Sequence, residues 1–229
     1  MSALPDDSGS PSTPPTWRRA ALSVLTRVSH GSTPFITTFV LIHLTAPALA
    51  SLGGTSLSSQ VMLLGREYYQ TPLGEKYLVL LPLLVHPLSS LSKRFLAPRP
   101  ARRPTSALSL TGYAAGLLVL GHFLTHRVHP ADAAAPVLAL SPAELDYEYV
   151  KYALHAWPWR AGLGYFALTA VVATHAAEGV RVLWNTWARD VLGRWKGGIW
   201  VISSEPLMVL SSTAVRFRAA FTKSILYRL

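Results

Sequence analysis

Four histidines lie deep inside four separate apolar stretches: His43, His86, His122 and His175. An ionisable ring in lipid is costly and rare, and it marks a functional site by default. Neutral imidazole is a strong ligand for iron, and ligation relieves the cost of burying a polar ring. Four such rings, one per stretch, suggest two bis-histidine haem sites in a helical bundle. The blander alternative, for any one ring, is a hydrogen bond to a neighbouring helix. Four rings at comparable depth are harder to dismiss in that way, which leaves both readings open, and at a rise of about 1.5 Å per residue all four are expected to reach one central slab of the bilayer.

Neighbouring residues extend the constellation. His126 follows His122 by one helical turn and shares its face, with Arg127 beside it. Both are candidates for a haem propionate, although an interfacial polar role is the simpler reading of His126. His30 and His155 fall at segment boundaries and read as structural or solvated. Gly112, Gly116, Gly121 and Gly164 would make room for a flat macrocycle, but small residues also serve plain helix packing. Other chemistry has little support. The chain has no cysteine, which excludes disulfides, thiolate catalysis and iron–sulfur clusters. Gly-x-Ser-x-Gly and His-Glu-x-x-His are both missing, so nothing points to an enzyme.

The elements that must carry the histidines are readable from apolarity. The 229 residues have a mean hydropathy of +0.30 and only 14% charged side chains. A spanning helix needs about 20 apolar residues. The expected fold is therefore all-α, a polytopic membrane bundle with four core spans at about residues 33–52, 77–95, 106–127 and 159–182. A fifth span is expected at about 197–216, interrupted by Glu205-Pro206. The seven tryptophans cluster near segment ends, as interfacial belts do.

Around the bundle (33–218) lie a Pro/Ser-rich head (1–16), expected to be disordered, an amphipathic interfacial segment (17–32) and a basic tail (219–229). Residues 53–76 read as a charge-balanced connector. After Ser141-Pro142 an acidic, aromatic segment reads as a short surface helix. Basic residues concentrate at the N-terminus and in the second and fourth links, which the positive-inside rule places together in the cytosol. The tail breaks that alternation if the fifth segment spans. The net charge of +10 fits juxtamembrane contact with anionic lipid, and no nucleic-acid partner is expected.

With spans and histidines assigned, residues 27–187 resemble the haem-b membrane anchors of succinate dehydrogenase and fumarate reductase, in their single-subunit five-helix form. The segments RVSHGSTPFITTFVLIHL, YLVLLPLLVHPL, LSLTGYAAGLLVLGHFLTHRV and GYFALTAVVATHAAEGVRVLWNTW carry the likeness. It implies one haem b between His43 and His122 and another between His86 and His175, these histidines being the axial ligands. The head and tail depart from those anchors. The whole architecture is more similar to the fungal Mcp family, which shares the anchor-like domain. That resemblance implies a multi-pass protein of the mitochondrial outer membrane, at membrane contact sites. It implies a role in lipid homeostasis, recruiting a bridge-type lipid-transfer protein through a cytosolic Pro-x-Pro motif, with possible lipid scrambling. The one Pro-x-Pro here is Pro98-Arg99-Pro100, in the basic loop rather than the head. The alternative is an electron-transfer anchor of a quinone oxidoreductase.

Overall fold

In a computed structural model, which describes residues 15–97 and 102–188, every regular element is helical. Helix α1 (Thr16–Gly31) leads almost directly into α2 (Thr33–Tyr69). A π-helical stretch (Gly74–Leu80) opens α3 (Leu81–Leu96). Then come α4 (Ala107–Phe123), a further π turn and a 3-10 turn to Ala131, the short α5 (Tyr147–Ala156) and α6 (Pro158–Leu183). The expected fifth span, the basic tail, nearly all of the head, and Pro98 and Pro100 lie outside the described residues.

Among the described residues, three helical stretches are long and apolar enough to cross a membrane: Thr16–Tyr69, Ala107–Ala131 and Pro158–Ala188. The stretch at 77–95 is helical but is not one of these three. Pro82 and Pro87 each lack an N–H and crowd the carbonyl one turn back. The backbone widens into a π turn just before Pro82, and the regular helix that follows has 16 residues.

Residues 53–76 are not a plain connector. Gly54 has φ 76° and ψ −176°, a conformation reserved for glycine, and the chain reverses there. The second arm of α2 folds back along the first. Ser58, fully buried, donates to the Ala46 carbonyl at 2.8 Å. Gly65 lies against Ile42, where an added Cβ would sit 3.2 Å from its Cγ2. Tyr69 reaches Phe39, with ring centroids 5.4 Å apart.

The bundle pairs α1 with α3 and α4 with α6. In the first pair Ser29 and Ser90 hydroxyls meet at 3.0 Å. The second pair is antiparallel: the start of α4 meets His175, and its end meets Tyr165. Ser106 caps α4 by accepting from the Ser109 N–H. The expected surface helix is α5, capped by Asp146 rather than Ser141. It is tied to the α2 hairpin, where the Arg66 guanidinium donates to the carbonyls of Pro142 and Leu145. At the opposite end Arg94 donates to Ser109, and Trp187 donates to His30, closing α6 onto α1.

Candidate functional site

The four histidines meet in two pairs. The rings of His43 and His122 have centroids 5.8 Å apart, with planes at 83°. Those of His86 and His175 are 6.2 Å apart, at 87°. All four are half-buried. Two imidazoles bound at about 2 Å on opposite sides of one metal ion bring their ring centres to about 6 Å.

The pairs occupy two levels rather than one slab. On α4, His175 lies against Leu108, Thr111 and Gly112, whereas His122 is ten residues beyond Gly112. Ten residues of helix span about 15 Å. On α6 the interval from Tyr165, whose ring lies 6.4 Å from that of His122, to His175 is also ten residues. Depth estimated separately within each apolar run could not detect this offset, because it depends on how the helices are staggered.

The His86–His175 pair is held by hydrogen bonds. His86 Nδ1 lies 2.9 Å from the Ser29 carbonyl and 3.2 Å from the Ser32 hydroxyl. His175 Nδ1 lies 3.1 Å from the Leu108 carbonyl and 3.4 Å from the Thr111 hydroxyl. A carbonyl only accepts, so each Nδ1 carries the proton and each Nε2 keeps its lone pair for a ligand. Gly112 lets this ring lie close to α4: an added Cβ would sit 3.0 Å from His175 Cε1.

The His43–His122 pair is held by ring contacts. Phe39 stacks on His43 at 5.3 Å and Tyr69 meets it edge-on at 5.8 Å. His43 Nδ1 is buried with no hydrogen-bond partner, an unmet polar group of the kind that demands an explanation. His122 stacks on His126 at 4.1 Å. His126 in turn uses both nitrogens. Its Nδ1 lies 3.1 Å from the His122 carbonyl and 2.7 Å from Thr125 Oγ1, and its Nε2 lies 2.9 Å from the Tyr165 hydroxyl. Donation from Nδ1 to the carbonyl leaves Nε2 to accept the tyrosine proton.

Arg127 forms a two-pronged ion pair with Glu75, with Nε–Oε1 at 2.7 Å and Nη2–Oε2 at 2.8 Å. The pair flanks a cavity of about 490 Å³ that is also lined by Phe123, Val128, His129 and Asp132. On α5, Tyr149 donates to the Thr125 carbonyl, and partial burial raises its hydroxyl pKa, so it stays a donor at neutral pH. The chain sequence did not single out Ser29, Ser32, Thr111, Phe39, Tyr69, Tyr165 or Glu75. Their contacts join residues far apart along the chain, and hydroxyls in apolar runs look like packing residues.

No family model, curated protein or solved structure matches this chain. The donor set itself suits haem. Each pair offers two facing imidazoles, the His86–His175 pair has the Nδ1 anchoring expected around metal-bound histidine, and His43 carries an unpaired nitrogen. Gly116, Gly121 and Gly164 are exposed, and an added Cβ at any of them would meet nothing within 4 Å.

Proposed function

We propose that this chain is a membrane protein whose helical bundle binds two b-type haems, His43 and His122 ligating one iron and His86 and His175 the other. The observation that carries this is the two facing pairs, 5.8 and 6.2 Å between ring centres. Bound haem supplies a redox-active iron. His43 with His122, and His86 with His175, would hold the haem irons, and the Ser29 and Leu108 carbonyls fix the tautomers of His86 and His175. A bare metal ion would call for more ligands, and among the described residues no cluster of three or more His, Cys, Asp or Glu is placed to hold one. Arg127 and His126, about one turn beyond His122, are the residues that would hold a haem propionate; here Arg127 pairs with Glu75 and His126 with the His122 carbonyl and Tyr165. In this reading the 77–95 helix is the fourth core span.

The biological role we infer is that of a lipid-homeostasis adaptor in the mitochondrial outer membrane, recruiting a bridge-type lipid-transfer protein and possessing lipid-scrambling capacity. It rests on the resemblance to the Mcp family read from the sequence alone. A second reading, a haem-b electron-transfer anchor serving a quinone oxidoreductase, is favoured by the stacking of the two pairs at levels about 15 Å apart.

The deciding experiment is a reduced-minus-oxidised spectrum of the purified chain with a pyridine haemochrome count. Sharp alpha and beta bands and two haems per chain are expected. His43→Ala or His122→Ala should each remove one haem, and His86→Ala or His175→Ala the other. A colourless protein would sink the cofactor reading. For the adaptor role, Pro98→Ala with Pro100→Ala should abolish recruitment of the lipid-transfer protein to mitochondria, and unchanged recruitment would exclude that motif.

A further inference from the structure

Where α3 ends and α4 begins, four cations gather: Lys93 and Arg94 in the last turn of α3, and Arg102 and Arg103 just before α4. Among the described residues the ion pairs are Glu75–Arg127, Glu148–Lys151 and Glu178–Arg181, and none includes these four. Arg94 donates to neutral oxygens instead, at 2.8 Å to the Ser109 hydroxyl and 3.5 Å to the Arg102 carbonyl. Ser109 in turn donates to the Arg103 carbonyl at 3.2 Å, which ties the end of α3, the link and the first turn of α4 together. Thr105 stands within this cluster. The Ser106 N–H donates to the Arg103 carbonyl at 3.0 Å and closes a tight turn with Pro104 second and Thr105 third, the place proline favours in such turns. Arg102, Arg103, Pro104 and Thr105 are all exposed. The Ser106 hydroxyl is committed to Ser109, 3.4 Å from its N–H and 2.9 Å from its hydroxyl. Among the described residues no hydrogen bond engages the Thr105 hydroxyl.

Protein kinases select their substrates by charge pattern, and the arginine-directed class takes two arginines, one further residue and then a serine or threonine. The chain has two Arg-Arg pairs. After Arg18-Arg19 the acceptor position is Ala21, whereas Arg102-Arg103-Pro104 is followed by Thr105. A phosphate on threonine carries about −1.5 to −2 charges at neutral pH, and opposite an arginine cluster it gains about one to three charge-assisted hydrogen bonds. We propose that Thr105 is a phosphorylation site for an arginine-directed protein kinase, and that its phosphate docks on Arg94, Arg102 and Arg103. The kinase transfers the terminal phosphoryl group of Mg-ATP. A bond forms from Thr105 Oγ1 to the γ-phosphorus, the bond from that phosphorus to the β,γ-bridging oxygen breaks, ADP leaves, and the hydroxyl proton passes to the kinase's catalytic base. The phosphate cancels about half of the charge of the four cations and so weakens the hold of this face on anionic lipid. The positive-inside rule puts the same face in the cytosol, where protein kinases and ATP are found.

The test needs neither haem nor a lipid-transfer partner. The full chain in detergent is incubated with the catalytic subunit of an arginine-directed kinase and Mg-ATP. Intact mass counts the phosphates and peptide mapping places them. One phosphate on Thr105 is expected. Thr105→Ala should abolish incorporation, and because that side chain is exposed and makes no hydrogen bond, the variant should keep the unmodified chain's thermal midpoint. Arg102→Gln with Arg103→Gln should abolish incorporation as well. Docking of the phosphate is read from stability: the phosphorylated chain should unfold at a higher temperature than the unmodified one, and Arg94→Gln should remove that gain. No phosphate, or a phosphate on Ser106 in place of Thr105, overturns the site. Undiminished incorporation in the double arginine variant overturns the recognition. A phosphate on Thr105 that leaves the midpoint unmoved overturns its docking on the arginines.

Discussion

His126 shows how much of a histidine's role is decided by its second nitrogen. One helical turn from His122, it has the position to reach the same site, yet both of its nitrogens are engaged, one by the His122 carbonyl and the other by Tyr165. It therefore supports its neighbour by stacking at 4.1 Å. Tyr165→Phe removes a single hydrogen bond and should cost about 1 kcal/mol. His126→Ala removes that bond together with the stack and should cost more, and under the proposed two-haem reading both haems should be retained. Thermal unfolding in detergent, followed with haem absorbance, measures both effects. Loss of an iron in His126→Ala would make His126 a ligand. The types and order of the four central histidines were legible in the sequence. The carbonyls of Ser29 and Leu108 were not, because every residue carries a carbonyl and only the fold decides which one meets a ring.

The elements were legible to the extent that apolar runs mark them. The runs holding His43, His122 and His175 lie in the three helical stretches long enough to cross a membrane. The second arm of α2 escaped because Ser56, Ser58, Ser59 and Gln60 give residues 55–69 the look of a polar link. The hairpin disposes of those groups locally: Ser58 donates to Ala46, Gln60 to Ser56, and Ser59 accepts from the Tyr147 N–H. Everything depends on the reversal at Gly54. Gly54→Ala forces a Cβ into a backbone region nearly closed to other residues and should cost about 1–3 kcal/mol. Gly65→Ala should also destabilise, by prising the arms apart at Ile42 and Tyr69. Gly31→Ala, where a Cβ would meet nothing within 4 Å, is the control. Midpoints of thermal unfolding should fall for the first two and hold for the third. An unchanged midpoint in Gly54→Ala would mean that the chain does not reverse there.

On the scale of the molecule, the contacts sort the polar ends of the bundle into two faces. One holds the basic end of α3, the start of α4 and the exit of α6, tied by Arg94 to Ser109 and by Trp187 to His30. The other holds the Glu75–Arg127 pair, α5 and the tyrosines that close over His126. The His86–His175 pair lies toward the first face and His43–His122 toward the second. If α4 crosses the bilayer, its two ends must be chemically separated by lipid. The absence of native cysteine makes this directly measurable. Ser106→Cys places a thiol at the N-cap of α4, and Ala133→Cys places one in the exposed turn beyond its far end. In sealed vesicles of uniform orientation, a membrane-impermeant maleimide should label one of the two and spare the other until detergent is added. The positive-inside rule puts Ser106 on the cytosolic side. Equal labelling of both before detergent would show that residues 107–131 do not cross. The two histidine pairs would then lie at one surface rather than at two depths.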